Sequence, residues 1–208
     1  GAAGENNVAE LAGFAKSGEI IAYKTFLHAP VKGREIEFDG LTMCNDGVLY
    51  DCMGPLAEAG IPWLVHAENN DMIQHNTAKF RALGKTDAIY HARSRPPVSE
   101  YETVAKLLLL TEEKNVPIFF CHISTPEACE MVKQAKARGR RIFIETCPHY
   151  LIFTEELLEK YGGIAKGSPP LRAARERDAR WRYVNDGTID VIGSDHAPYP
   201  PAEKVFDD

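Results

Sequence analysis

The chain has 208 residues, of which 44% are hydrophobic and 26% are charged, and its formal net charge is -6. This length suits one domain with a sizeable core, and the acidic balance without a polybasic run argues against nucleic acid or an anionic membrane as a partner. No apolar stretch approaches the roughly 20 residues of a membrane span, and the first residues do not read as a signal peptide. We therefore expect a cytoplasmic protein.

Short apolar runs alternate with amphipathic segments along the chain, which is the pattern of βα units around a parallel sheet. The runs predict strands at residues 20–26, 62–67, 117–123, 141–146, 164–168 and 190–195. The segments between them predict helices at residues 5–17, 46–59, 69–83, 99–114, 126–138, 154–161 and 173–186. Six strands are too few for a closed (β/α)8 barrel, which typically has about 250 residues. The predicted fold is thus α/β, either an open doubly wound sheet or part of a barrel.

Two polar stretches, at residues 31–46 and 83–97, are longer than connections between elements need to be. In a parallel α/β fold such loops commonly form the rim of an active site. The five cysteines form no CxxC pair, so buried reduced thiols are favoured over disulfides or a cysteine-based zinc site.

Four predicted strands have an ionisable side chain at or near their carboxyl ends, namely Lys24, His66, His122 and Asp195. Because the carboxyl ends of parallel strands meet at one edge of the sheet, we expect these side chains to lie close together. Two neutral imidazoles and a carboxylate suit zinc or a similar divalent ion, and the carboxylate can also exchange protons with bound water. For each histidine alone, a hydrogen-bonded place in the core or rim is the alternative.

Lys24 lies in the apolar run IIAYKTF, where an ammonium group loses hydration unless a partner compensates. A protonated lysine cannot bind a metal ion. The neutral amine, which desolvation favours, can instead add carbon dioxide and become a carbamate with two oxygens for a metal pair. The alternative is an ion pair with a buried carboxylate such as Glu145 or Asp195.

Six motifs in chain order resemble the cyclic amidohydrolases of the amidohydrolase superfamily, which include hydantoinases, dihydropyrimidinases, allantoinases and dihydroorotases. The motifs are IAYKTFL, LVHAEN, FCHIS, ETCPHYL, KGSPPLR and IGSDHAPY. The resemblance covers almost the whole chain. It implies that residues 1–208 are one incomplete catalytic domain, a partial (β/α)8 TIM barrel from about the third βα unit to the eighth strand.

The family's His-x-His ligand pair, which precedes the lysine, has no counterpart here. The chain opens with GAAGENN, which is similar to the exit from the third strand, and ends at VFDD soon after the eighth strand. We therefore expect an internal piece that lacks the amino-terminal strands and is inactive by itself.

The resemblance implies a centre of two divalent metal ions, with zinc expected. Lys24 matches the N6-carboxylated lysine that bridges both ions, and His66 and His122 match the ligands of the more exposed ion. Asp195 matches the ligand of the buried ion that also transfers the proton. Ser168 matches a position whose backbone holds the substrate. Further candidates for the rim or for support of the site are Glu68, Asn69, His149, Arg172 and His196.

The implied reaction is attack of a metal-bridging hydroxide on a cyclic amide, which opens an allantoin- or hydantoin-type ring to a ureido acid. Hydantoinases usually have a tyrosine five residues after the lysine, but Ala29 stands there. A dihydroorotase is the alternative enzyme. A non-catalytic dihydropyrimidinase-like scaffold and a metal-free binding module are the alternatives without catalysis. The family also implies a homo-oligomer, such as a tetramer.

Overall fold

Five parallel strands form one sheet in the computed structural model, which describes residues 1–30, 34–197 and 199–200. The strands are β1 (Tyr23–Phe26), β2 (Trp63–His66), β3 (Ile118–Phe120), β4 (Ile142–Thr146) and β5 (Val191–Ile192). They lie side by side in chain order, and each neighbouring pair is parallel. The predicted α/β class with a parallel sheet is confirmed. Sequential order is that of a barrel wall, whereas a doubly wound sheet reverses its order.

Helices connect the strands in the described ranges. They are α1 (Leu11–Ser17), α2 (Asp46–Ala59), α3 (Asn70–Ala82), α4 (Ile89–Ser94), α5 (Pro97–Lys114), α6 (Pro126–Ala137), α7 (Pro148–Ile152), α8 (Glu156–Tyr161) and α9 (Ala174–Asn185). Short 3-10 helices lie at Val8–Glu10, Glu35–Phe38 and Gly162–Ala165. The predicted helices are confirmed, most of them to within three residues of their ends, and the first begins as 3-10 helix.

The strand predicted at residues 164–168 is wrong, because a 3-10 helix occupies Gly162–Ala165 and continues directly from α8. The N–H of Lys166 bonds to the carbonyl of Gly163 at 3.0 Å, so a local turn satisfies the backbone that a strand would have paired. Ile164 is 67% exposed and does not belong to a buried strand.

The two predicted rim loops differ from simple connections. The stretch 83–97 contains α4, and the stretch 31–46 contains the 3-10 helix at Glu35–Phe38. Residues 31–33 and the terminal VFDD lie outside the described residues.

The two faces of the sheet differ in burial. One face joins residues of α1, α2, α5 and α6 in the main core through Tyr23, Trp63, Val65, Ile118, Phe120, Ile142 and Ile144. The opposite face carries a row in register, Lys24 beside Leu64, Leu64 beside Phe119 and Phe119 beside Phe143. These residues are less buried, and Phe143 is 42% exposed. In a closed barrel this row would face the interior.

The strand that carries Lys24 has neighbours on both sides. It pairs with β2 on one side, and on the other the isolated parallel bridges Ala2–Lys24 and Phe26–Thr42 contact it. The Lys24 backbone accepts from the N–H of Ala3 and donates to the carbonyl of Gly1, both at 2.9 Å. None of the helices in the described ranges is long and apolar enough to cross a membrane.

Candidate metal centre

His66 and His122 meet at the carboxyl edge of the sheet. His66 is the last residue of β2, and His122 follows β3 by two residues. Nδ1 of His66 lies 3.1 Å from Nε2 of His122, and both side chains are buried. The structure therefore brings these two predicted ligands into direct contact.

Glu68 fixes the orientation of the His66 ring. Its Oε2 lies 2.8 Å from Nε2 of His66, and its side chain is 1% exposed. Burial acts to raise the pKa of the Glu68 carboxyl, but the His66 hydrogen bond and the charges of His66, Arg95 and Arg172 hold it well below its usual range. An ionised carboxylate only accepts hydrogen bonds, so Nε2 of His66 carries the hydrogen. In a neutral ring, Nδ1 then presents its lone pair to His122.

The backbone is strained at two of the predicted site residues. His122 has φ 40° and Asp195 has φ 48°. Both values lie in the left-handed region, which residues other than glycine rarely adopt. Such conformations persist where the surrounding structure enforces them, and they concentrate at functional sites. At His122, Oε2 of Glu145 accepts the backbone N–H at 3.2 Å. The carboxylate thus stabilises the turn that aims this histidine.

Lys24 lies on β1 beside Cys121 and His122. Its Nζ is 4.7 Å from the centre of the Phe26 ring. Burial raises the pKa of the Cys121 thiol, and the charge of Lys24 and a hydrogen bond from it oppose that rise. Burial, His66 and the Lys24 charge all lower the pKa of His122. The lysine therefore lies close enough to the histidine pair to share a site with it.

Asp195 follows β5 and is exposed. Burial raises the pKa of Glu145, and the negative charge of Asp195 adds to that rise while Lys24 opposes it. Glu145 thus lies near both residues. The ion pair that was the alternative for Lys24 does not form within 4.0 Å with either carboxylate, as far as the described residues show.

The residues present fit a divalent metal ion at the histidine pair. Two nitrogen ligands of one tetrahedral zinc ion, each at about 2.0–2.1 Å, lie roughly 3.3–3.4 Å apart, close to the observed separation. A carboxylate on the far nitrogen is the usual support for such a ligand. Across residues 1–30, 34–197 and 199–200, however, no three His, Cys, Asp or Glu side chains are already gathered into a metal-binding group.

Ser168 lies on the segment between the 3-10 helix at Gly162–Ala165 and α9, and it is half-buried. The carbonyls on either side of it are held from the interior. His91 donates to the Gly167 carbonyl at 2.7 Å, and the Tyr150 hydroxyl donates to the Pro169 carbonyl at 2.5 Å. The structure thus attaches this predicted substrate segment to His91 and Tyr150 rather than to the histidine pair.

The supporting candidates have separate places. Asn69 caps α3 by accepting from the Met72 N–H at 2.9 Å. Arg172 is buried and donates to the Ser124 hydroxyl at 2.9 Å and to the Arg95 carbonyl. His149 packs on the Tyr150 ring, and His196 is exposed.

Sequence reasoning missed His28, whose ring centre lies 4.8 Å from that of His66 in an edge-to-face contact. Its Nδ1 lies 2.6 Å from the Ala29 carbonyl oxygen. Burial and the charge of His66 lower the pKa of His28 to about 4. The available signal was a histidine one residue before the position where a tyrosine was expected. Sequence reasoning also missed His91 and Arg95, which lie in the predicted rim loop at residues 83–97.

Comparisons with known proteins give consistent matches over part of each relative, although no family model matches the chain. The chain is 38% identical to an allantoinase of Solibacter usitatus over 202 residues, which are 97% of this chain and 43% of that protein. It is 39% identical to a D-hydantoinase of Ralstonia pickettii over 165 residues, or 78% of this chain and 36% of that protein.

Among solved structures, the L-hydantoinase (dihydropyrimidinase) from Arthrobacter aurescens matches with a TM-score of 0.87 and 29% identity. That match covers 97% of this chain and 44% of the other. The chain therefore spans less than half the length of each of these relatives.

Proposed function

Because the chain belongs to the cyclic amidohydrolase family, we propose that the whole protein is a metal-dependent hydrolase that opens an allantoin- or hydantoin-type ring to a ureido acid. The observation that carries the proposal is the contact between Nδ1 of His66 and Nε2 of His122 at 3.1 Å. The carboxyl edge of a parallel sheet is where enzymes of this fold class have their active sites. Two buried imidazole nitrogens facing each other there are a ready pair of ligands.

The described sheet supports a partial (β/α)8 barrel that runs from about the third βα unit to the eighth strand. Its strands follow one another without a reversal. Its inner row leaves Phe143 42% exposed, as expected of a face that further strands would cover. Relatives that are more than twice as long supply the length for those strands. Residues 1–208 are then one incomplete catalytic domain.

We assign His66 and His122 as ligands of one divalent ion, with zinc as the expected metal. Lys24, N6-carboxylated by carbon dioxide, would carry a negative charge between this ion and a second one, and Asp195 would bind the second ion. The position of Lys24 supports this assignment, because its side chain lies close enough to Cys121 and His122 to act on the pKa of both groups. When bound, the two ions supply Lewis-acid polarisation of the amide carbonyl and a hydroxide nucleophile.

The residues of this chain would then have separate roles in the reaction. Asp195 accepts the proton that the nucleophile loses and delivers it to the ring nitrogen as the carbon–nitrogen bond breaks, which is general base and then general acid catalysis. Glu68 keeps His66 in one tautomer throughout. The backbone around Ser168 would hold the polar edge of the ring. The cytoplasmic location and the homo-oligomeric state stay predictions.

Metal analysis and a substrate panel on the full-length protein test the proposal. We expect about two divalent ions per subunit and turnover of at least one of allantoin, 5-substituted hydantoins, dihydrouracil or dihydroorotate. His66→Phe should lower the metal content, whereas substitution of the exposed His75 to Phe should leave it unchanged. A metal-free, well-folded protein that opens none of these rings would show that the family member is a scaffold.

A further inference from the structure

A line of polar contacts runs through the interior from the Ser168 segment to His66. Nε2 of His91 donates to the Gly167 carbonyl at 2.7 Å, and Nη1 of Arg95 lies 3.2 Å from Nδ1 of His91. Nε of Arg95 lies 3.8 Å from Oε2 of Glu68, and the same oxygen is 2.8 Å from Nε2 of His66. The line thus joins residues that are about a hundred positions apart in the sequence.

The chemistry of each partner sets the direction of every contact. A carbonyl oxygen only accepts, so Nε2 of His91 must carry its hydrogen. A guanidinium only donates, so Nδ1 of His91 must accept from Arg95. The Glu68 carboxylate accepts from Nε2 of His66 and forms an ion pair, longer than a hydrogen bond, with Nε of Arg95. One arrangement of hydrogens satisfies the three hydrogen bonds of the line, with a hydrogen on Nε2 of both imidazoles and an accepting Nδ1 on His91.

Arg95 is the centre of this line. One nitrogen of its guanidinium contacts His91 and another contacts Glu68. Because the guanidinium is planar and rigid, a displacement at one nitrogen also displaces the other. Its own backbone is held, because the Arg95 carbonyl accepts from Arg172. The Arg95–Glu68 contact has ion-pair length, and the buried Nε of Arg95 and Oε1 of Glu68 make no hydrogen bond among the described residues. The distance between Arg95 and Glu68 can therefore shorten to a hydrogen bond or lengthen further without the loss of an existing hydrogen bond.

We infer that Arg95 is a positioning residue that couples the substrate-binding segment at Gly167–Ser168 to the metal ligand His66. This inference rests on the proposed function and deepens it. Movement of the 167–168 backbone displaces His91, the guanidinium follows, and Glu68 shifts relative to His66. A substrate that contacts the Ser168 segment thereby changes the position of His66. When a bound metal ion fixes His66, the same contacts restrain the segment.

Three substitutions in the full-length protein separate the two ends of the line. Arg95→Met removes the centre and should weaken zinc affinity and raise KM, each by about 10- to 100-fold, the usual cost of losing a group that supports a metal ligand. His91→Gln places an amide N–H near Nε2 and keeps the Gly167 contact, so zinc affinity should fall more than KM rises. His91→Asn places a carbonyl near Nδ1 and keeps the Arg95 contact, so KM should rise while zinc affinity stays.

Zinc affinity is measured on metal-free protein by competition with a chromogenic chelator, which does not require turnover. The matched control is Arg140→Met, because Arg140 is also largely buried and donates to the Leu108 carbonyl and the Thr111 hydroxyl, away from this line. Arg140→Met should leave zinc affinity and KM unchanged even if it lowers stability.

The outcomes are distinct for the two proposals. If wild-type protein binds zinc and opens a ring, but Arg95→Met or both His91 variants match it within twofold in zinc affinity and KM, the coupling is overturned and the proposed function stands. If Arg95→Met does not fold, the opposite responses of His91→Gln and His91→Asn decide. If wild-type protein neither binds zinc nor opens a ring, the proposed function fails and the coupling fails with it.

Discussion

A methyl group added to Gly193 would lie 1.8 Å from Oε1 of Glu145, so these two residues pack as closely as they do because residue 193 has no side chain. The other oxygen of the same carboxylate accepts the backbone N–H of His122 at 3.2 Å. The chain after β5 therefore helps to set the turn at His122, which lies two strands away in the sheet.

Gly193→Ala should displace the Glu145 carboxylate and destabilise the turn at His122. Because the carboxylate ends a flexible side chain and can move, we expect a change in stability within about 0.5 kcal/mol but weaker zinc binding by the full-length protein. Urea denaturation and chelator competition measure the two effects. Gly13→Ala in α1 is the matched control, because a methyl group there meets open space and should stabilise the helix by roughly 0.5–1 kcal/mol. Equal behaviour of both variants would contradict the role given to Gly193.

Lys24→Ala should remove the bridging charge of the proposed metal centre. Metal affinity should fall by at least roughly 10- to 100-fold, the loss that follows removal of a group that only supports a metal ligand. The metal content of the purified protein should fall with it. Short-chain carboxylic acids should restore part of the activity by occupying the vacated space. Lys16→Ala is the control, since Lys16 pairs with Glu58 on the surface. Unchanged metal content in Lys24→Ala would argue that the lysine only packs in the sheet.

Asp195→Asn should abolish proton transfer without unfolding the protein. Positioned acids and bases contribute about 10²- to 10⁴-fold, so kcat should fall by that amount. Asp195 is exposed, so the change in stability should stay within about 0.5 kcal/mol. Asp178→Asn, on the surface beside Arg177, should leave kcat unchanged. Near-normal turnover of Asp195→Asn would refute the assignment.

Acid should destabilise the protein through His91. Burial and the charge of Arg95 lower the pKa of His91 from 6.5 to about 3 in the folded state. Between those values the unfolded chain binds the proton and the folded protein does not, so stability falls as pH drops from 6.5 toward 3. Urea denaturation at about pH 7 and pH 5 should show a smaller difference for His91→Gln than for wild type. The exposed His75→Gln should keep the wild-type difference, and a loss there instead would refute this source of acid sensitivity.

The parts of the structure that the sequence predicts well are those with local causes. Alternation of apolar runs and amphipathic segments predicted all five strands of the described sheet and the longer helices, though not α4 or α7, because burial of one face dictates most of these patterns. The placement of His66 and His122 followed from strand direction alone. The strand at residues 164–168 was wrong because only Ile164 and Ala165 are apolar there, and the adjacent glycines favour a turn.

The parts that the sequence could not predict depend on contacts between distant residues. His91 and Arg95 have the local pattern of polar loop residues, since nothing near them in the chain shows that His91 is buried or that Arg95 extends into the interior. Their partners come from Gly167, which is 76 positions from His91, and from Glu68. The same holds for Gly193, where a glycine is needed because the Glu145 carboxylate on another strand lies so close. Separation in sequence, rather than weak local preference, hides these roles.

The β2 ladder on one side of β1 and the isolated bridges on the other make Lys24 resistant to a change in register. Side chains alternate between the two faces of a strand, so a slip of one residue would place Lys24 in the helix-facing core and bring Tyr23 or Thr25 to the inner row. Such a slip would break pairing with β2 and with the residues around Ala2 at once. An insertion or deletion within β1 therefore damages the core and the metal centre together.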